Sequence, residues 1–296
     1  MASQELKTVI DIIKSRMPEK TPSIEEMRAG MEAQAGLIPL AKDVSCEPIR
    51  IESIQAEWVS TPEAAQDRVV YYLHGGGYVM GSINTHREMA SRISRAAQAR
   101  VLLIDYRLAP GNPFPAAVED ATAGYRWLLD NGVNPSRIVI AGDSAGGGLT
   151  VATLISLKEQ GLPMPAAAVC LSPWVDMDAS GESMVSKAKA DPMVQREDIL
   201  MIAKAYLGKA NPRDPLASPI YANLTGLPPM LIQVGTAEVL LDDAKRLAKK
   251  AIDDEVMVTL EPWPDMFHVW QSFAVMLPEG RQAISAIGDF IRRHTS

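Results

Sequence analysis

Hydrophobic and polar residues follow three successive rhythms along this chain of 296 residues. In the first 45 or so, Leu6, Val9, Ile10, Ile13 and Met17 recur at helical spacing and predict helix with one apolar face. The opposite face is not strongly basic, so the stripe is expected to pack on the protein itself rather than on a membrane surface. From about residue 45 to 59 apolar and polar positions alternate, as in Ile49-Arg50-Ile51-Glu52, and predict a short antiparallel pair. From Arg68 onward the rhythm changes again. The continuous apolar runs Val69–Leu73, Val101–Ile104, Ile138–Ile140 and Met230–Val234 are each followed by a helix-like segment. Buried strands alternating with helices predict an α/β fold, a mostly parallel central sheet covered on both faces.

One segment interrupts the alternation. Between Trp174 and about Asn211 no strand is predicted, but Ile199, Ile202, Ala203, Tyr206 and Leu207 form a helical apolar face, with Asp191-Pro192 suited to the helix entry. An insertion after a strand's C-terminal end lies on the ligand side of such a sheet. Residues 175–211, together with N-terminal helices in 1–45, are therefore expected to form a cap. The remaining 46–174 and 212–296 then make up the α/β domain.

Composition narrows the class. A hydrophobic content of 47% with 22% charged residues is that of a soluble globular protein with a sizeable core. The net charge of −7, with no Lys/Arg stripe, argues against a nucleic-acid partner. No apolar run approaches the ~18 residues of a membrane span, and stable membrane association is not expected. Met1 to Lys7 lacks a basic start and an apolar signal core, which argues against secretion. Cys46 and Cys170 are too few for a disulfide framework and lack metal-ligand spacing; Cys170, in the apolar run Ala166–Leu171, is expected to be a buried inert thiol. The expectation is a cytoplasmic monomer or small oligomer without a metal. A homodimer would arise if the last strand, near Val256–Leu260, is an edge that pairs across a two-fold axis.

The chemistry enters at Gly142-Asp143-Ser144-Ala145-Gly146, a G-x-S-x-G stretch between a predicted strand and the apolar run that starts a helix. A serine at such a strand-to-helix turn has its hydroxyl lifted clear of the sheet beside a helix N-terminus. Acyl transfer through serine further requires a base, a group that orients it, and donors for the oxyanion. His74-Gly75-Gly76-Gly77, directly after a predicted strand, can turn backbone N–H groups into a pocket. A dinucleotide loop would need glycine at position 80, where Met80 stands, so the phosphate reading fails on spacing. Of the four histidines, His74 belongs to the glycine loop, His86 opens a helix and His294 sits on a basic tail. His268, in a loop past a late strand, is the base that fits the chain order serine, acid, histidine. The acid then falls between Ser144 and His268. Glu238, just past the strand Met230–Val234, is the first choice, with Asp242 and Asp265 as alternatives.

The motifs His74-Gly75-Gly76-Gly77, Tyr106-Arg107-Leu108-Ala109-Pro110 and Gly142-Asp143-Ser144-Ala145-Gly146-Gly147, in this order, resemble the bacterial hormone-sensitive-lipase-like esterases from about Arg68 to the C-terminus. The resemblance implies an α/β-hydrolase fold with a helical cap, hydrolysis of carboxylic esters, no cofactor, and oxyanion donors at Gly76, Gly77 and Ala145. Two departures stand out. Glu238-Val239-Leu240 occupies the place of the family's common Asp-Pro-Leu, and Gly111 follows Ala109-Pro110 where the family usually has Glu. The resulting expectation is a carboxylesterase acting on a small-molecule ester of short to medium chain through a serine acyl-enzyme. A triglyceride-type lipase and an amidase or peptidase use the same machinery and remain open. A non-enzymatic binding module on the same scaffold would predict a missing catalytic member.

Overall fold

The structure is a computed structural model that describes residues 3–16 and 21–296. Among the described residues, eight strands form one sheet: β1 (Ser45–Ile51), β2 (Ile54–Ser60), β3 (Ala65–Leu73), β4 (Ala99–Asp105), β5 (Ile138–Asp143), β6 (Ala167–Leu171), β7 (Met230–Gly235) and β8 (Val258–Trp263). Their spatial order is β1-β2-β4-β3-β5-β6-β7-β8. β1, β2 and β4 pair antiparallel, and every pairing from β4 through β8 is parallel. The alternating segment near residues 45–59 thus becomes the antiparallel hairpin at one edge.

The parallel strands alternate between two apolar layers, which is why their sequences read as unbroken apolar runs. In β3, Val69, Tyr71 and Leu73 belong to one core cluster, while Val70 and Tyr72 belong to the other. Helices cover both faces: α3 (Ile83–Ala97) and α9 (Pro278–His294) lie on one side, α4 (Ala116–Asp130), α5 (Ala145–Glu159) and α8 (Leu241–Asp253) on the other. Every residue of α5 from Ala145 to Leu157 is buried, and a helix without a polar face, its three hydroxyl residues Thr150, Thr153 and Ser156 apart, belongs in the middle of a core.

Three expectations need correction. The run Ala166–Leu171, read only as burying a thiol, is a central strand, β6. The last strand begins at Val258 rather than Val256 and continues to Trp263. Val256 instead closes the end of α8, its N–H donating to Ala251 O at 2.8 Å. Asp191-Pro192 does not enter a helix. The helix of this segment, α7 (Arg196–Leu207), starts later, and Asp191 caps a separate turn by accepting from Met193 N and Val194 N.

Residues 175–211 also hold the short α6 (Ser183–Ser186), and the buried face of α7 is made of Ile199, Ile202, Ala203, Tyr206 and Leu207. At the N-terminus, α1 (Gln4–Ser15) buries Leu6 and Val9 against Met266, Phe267 and Trp270, with Ile10 and Ile13 at the margin. Met17, the last residue of the predicted stripe, lies outside the described residues. The next helix, α2 (Ile24–Ala35), starts with a Ser23/Glu26 capping box and buries no residue fully.

Candidate active site

All strands from β4 to β8 point the same way, so the loops after β3, β5, β7 and β8 gather at one end of the sheet. Those loops carry His74–Gly77, Ser144, Glu238 and His268 in turn. Parallel topology alone therefore brings residues 194 positions apart in sequence to one rim.

Ser144 occupies the turn between β5 and α5 with φ 53° and ψ −120°. Its N–H donates to Leu171 O at 2.8 Å, and its carbonyl accepts from Trp174 N at 3.0 Å, which ties the turn to the end of β6. The flanking glycines are steric necessities. A Cβ on Gly146 would lie 2.0 Å from Leu73 O, and one on Gly142 would lie 2.3 Å from Gly146 O. The close contact of α5 with the end of β3 leaves no room for any side chain there.

Ser144 Oγ lies 2.9 Å from His268 Nε2. On the far side of the ring, Nδ1 is 3.4 Å from Glu238 Oε2, long for a hydrogen bond but close for an ionic neighbour. Resting-state contacts of this kind commonly tighten once substrate is bound. Burial disfavours the imidazolium of His268, yet the facing Glu238 carboxylate outweighs this and leaves the ring pKa above its ordinary value. Burial pushes the fully enclosed Glu238 carboxyl upward, and His268 and Ser172 oppose that rise.

The two loops bearing these groups are bound to each other, since Ala237 N donates to Met266 O at 2.9 Å and Thr236 N to Trp263 O at 2.9 Å. Neither alternative carboxylate lies within 4.0 Å of the ring. Asp242 accepts from Ser183 N at 2.8 Å, whereas Asp265 is exposed in a turn whose N–H donates to Thr236 Oγ1. Among the described residues, Glu238 is the only carboxylate within 4.0 Å of the His268 ring.

The glycine loop turns sharply, with φ 114° at Gly76 and 64° at Gly77. Gly76 O accepts from both Val79 N and Met80 N. Among the described residues, the N–H groups of Gly76, Gly77 and Ala145 reach no protein acceptor. His74 supports the loop: it stacks on Tyr106 at 4.1 Å and its Nδ1 donates to Gly75 O. Burial and the neighbouring His86 push its pKa down to about 3, so it stays neutral. His294 lies on α9 against the Phe290 ring and is partly buried.

Several residues to which the sequence assigned no part in the site complete it. Asp143, beside the serine, is buried, with Oδ1 accepting from Tyr72 OH at 2.8 Å and Gly75 N at 3.0 Å. Burial opposes its charge, but His86 and Tyr72 prevail and hold its carboxyl below the usual range. Ser172 donates to Glu238 Oε2 at 2.9 Å and accepts from Val269 N at 3.2 Å, so one hydroxyl links the acid to the loop of the base. Asp191 Oδ2 accepts from Val239 N, which anchors the insertion beside Glu238. A polar residue ending an apolar run, as in Leu171-Ser172-Pro173, was the available signal for Ser172. The local pattern marks Asp191 only as a helix entry, not as an anchor beside Glu238. The Tyr106–Pro110 motif is a buttress, with Tyr106 OH donating to His74 O and Ala109 N to Tyr78 O. Burial pushes the Cys170 thiol up to about 12, as suits an inert core cysteine.

A sequence profile for the alpha/beta hydrolase fold matches residues 70–272. The acetyl-hydrolase of Streptomyces hygroscopicus is 44% identical over 299 aligned positions, covering 100% of this chain and 98% of that protein. The crystal structure of an esterase from the bacterial hormone-sensitive lipase family matches with a TM-score of 0.97 at 52% identity, over 100% of both chains. That of EstE5 soaked with p-nitrophenyl butyrate matches at 0.96 and 50% identity, over 99% of each chain. With this fold, this order of loops and these relatives, the chain belongs to the α/β-hydrolase-fold family, among its bacterial hormone-sensitive-lipase-like esterases.

Proposed function

We propose that this carboxylic ester hydrolase works through a serine acyl-enzyme in which Ser144 is the nucleophile, His268 the base and Glu238 the acid that orients it. The 2.9 Å contact between Ser144 Oγ and His268 Nε2, at a backbone turn that exposes the hydroxyl, is the observation that carries this reading. Neutral His268 accepts the serine proton at Nε2 as Oγ attacks the ester carbonyl. Its other proton, on Nδ1, faces Glu238, whose negative charge stabilises the imidazolium that forms. The free N–H groups of Gly76, Gly77 and Ala145 are suited to hold the oxyanion, each worth about 3 kcal/mol by analogy with single-donor deletions. His268 then returns the proton to the leaving alcohol, and water repeats the sequence on the acyl-enzyme. Substrates are esters of short to medium acyl chain.

In the same reading, residues 1–45 and 175–211 form a cap over a catalytic domain built from 46–174 and 212–296. Supporting this, Ile202 of α7 stands against Gly77, where a Cβ would lie 2.8 Å from its Cγ2, and Tyr206 stacks on Tyr78 at 3.8 Å. The free outer edge of β8 is the surface we propose for a homodimer. The free thiols of Cys46 and Cys170 suit residence in the cytoplasm. No helix among the described residues is long and apolar enough to cross a membrane.

Turnover of p-nitrophenyl butyrate by Ser144→Ala tests the assignment. A loss of at least about a thousandfold is expected, together with loss of labelling by an alkyl fluorophosphonate detected by mass spectrometry. Wild-type turnover in the variant would remove Ser144 from the role.

A further inference from the structure

The N-terminal helix α2 buries no side chain fully, yet it reaches deep into the machinery through one residue. Arg28 donates from Nε to Val79 O at 2.6 Å and from Nη2 to Ala109 O at 2.7 Å. Among the described residues it has no carboxylate partner within 4.0 Å, so its charge is directed at these two carbonyls. Charge-assisted donation of this kind is stronger and more geometrically selective than a neutral hydrogen bond. One turn along the same face, Glu32 accepts from Ser82 Oγ, so two residues of α2 grip the segment between the glycine loop and α3.

The gripped segment determines where an oxyanion donor points. Val79 N and Met80 N both donate to Gly76 O. In a planar trans peptide the carbonyl and the following N–H point in opposite directions. Holding Gly76 O toward the turn therefore turns Gly77 N–H away from it, toward the open side of the loop. The turn itself is under strain, because Tyr78 has φ 63°, a left-handed value that a bulky residue adopts only when its surroundings enforce it. Two contacts enforce it: Ala109 N donates to Tyr78 O at 2.9 Å, and Arg28 holds the next carbonyl, Val79 O, together with that of Ala109.

We infer that Arg28 is a positioning residue for the oxyanion donors: from the N-terminal helix, its guanidinium locks the strained Tyr78-Val79 turn and thereby the direction of Gly77 N–H. The inference rests on the proposed role of Gly76 and Gly77. It gives the N-terminal helices a part in rate and not only in covering the site. An oxyanion donor acts on the transition state and little on the bound ester, so loosening it lowers kcat with KM almost unchanged.

The test compares Arg28→Met, which keeps the aliphatic stem and removes both donors, with Arg28→Lys, which keeps the charge but not the fork. With p-nitrophenyl butyrate, kcat of R28M is expected to fall by about 10- to 100-fold, since a misplacement near 1 Å costs about this much. KM should stay within about threefold of wild type, and R28K should recover part of the loss. Affinity for a trifluoromethyl ketone, whose adduct places an oxyanion in the same spot, should weaken by the same factor as kcat/KM. If R28M does not fold, R28K carries the test through the same split and the same inhibitor.

Unchanged kcat, or a raised KM with kcat kept, would overturn the inference and leave α2 as a wall of the site. Ser144→Ala run in parallel separates the failures. An inactive S144A beside a wild-type-like R28M sinks this inference alone, whereas an active S144A sinks the reading beneath it.

Discussion

At the level of single residues, Ser144 shows how strain and chemistry share a position. A non-glycine residue at φ 53° costs about 1–3 kcal/mol, and here it is held by backbone bonds to Leu171 O and Trp174 N. His268 is equally shaped by its neighbours. Burial would lower its pKa, but the Glu238 carboxylate more than offsets this and raises it above the ordinary 6.5. Only the neutral ring can accept the serine proton. Activity should therefore rise with pH through an apparent pKa above 6.5 and level off on the alkaline side. Glu238→Gln removes the group that raises the pKa, so its acid limb should move to lower pH while kcat falls by about 10²- to 10⁴-fold, the upper figure by analogy with a serine-protease acid replacement. Asp242→Ala should leave the limb in place, because Asp242 binds Ser183 N instead. Profiles of kcat/KM against pH for the three proteins decide this, and a limb displaced in D242A but not in E238Q would transfer the role.

Between elements, the site depends on how closely α5 approaches β3. Gly146 lets the helix backbone sit against Leu73 O and His74 O, where a Cβ would lie 2.0 and 2.6 Å away. Both obstacles are backbone carbonyls at the end of a central strand, and neither can rotate aside as a side chain could. Gly146→Ala should therefore destabilise the fold by about 3 kcal/mol, at the upper end of ordinary overpacking. It should also lower activity, because the same contact sets the glycine loop relative to Ser144. Denaturant unfolding checks the first effect and turnover the second. A variant within about 0.5 kcal/mol of wild type would show that helix and strand can separate without cost. Asp191 works between elements in the other direction, joining the 175–211 insertion to the loop of Glu238 through Val239 N.

Across the whole molecule, the sheet ends differently on its two sides. β1 is the outer strand of an antiparallel hairpin at one edge, while β8 ends the parallel part of the sheet, its outer backbone edge unpaired among the described residues, with exposed Met257 and Ile252 nearby. An open, partly apolar edge invites strand pairing, and pairing β8 with a second β8 about a two-fold axis would extend the sheet across both subunits. Sedimentation equilibrium at micromolar concentration should then give twice the chain mass of 32.1 kDa. A species of single-chain mass would overturn the proposed homodimer.

The apolar runs, read alone, determined the parallel sheet, because strands buried on both faces need apolar side chains at every position. They also determined the buried face of α7 residue by residue, since a 3.6-residue period is a local property. Glycine spacing and chain order brought Ser144, Glu238 and His268 forward for the same reason, each being a local signature at the end of a strand. The strand β8 starts two residues after the apolar run does, because Val256 is apolar and buried for another purpose, the closing of α8. Only the tertiary structure shows Glu238, rather than Asp242 or Asp265, facing the His268 ring, since which carboxylate faces an imidazole depends on the meeting of two loops. Only it brought out the contacts of Asp143, Ser172, Asp191 and Arg28, whose partners lie 48 to 97 residues away. A hydrogen bond across that distance leaves no periodicity and no spacing along the chain. It exists once the strands have set the loops side by side.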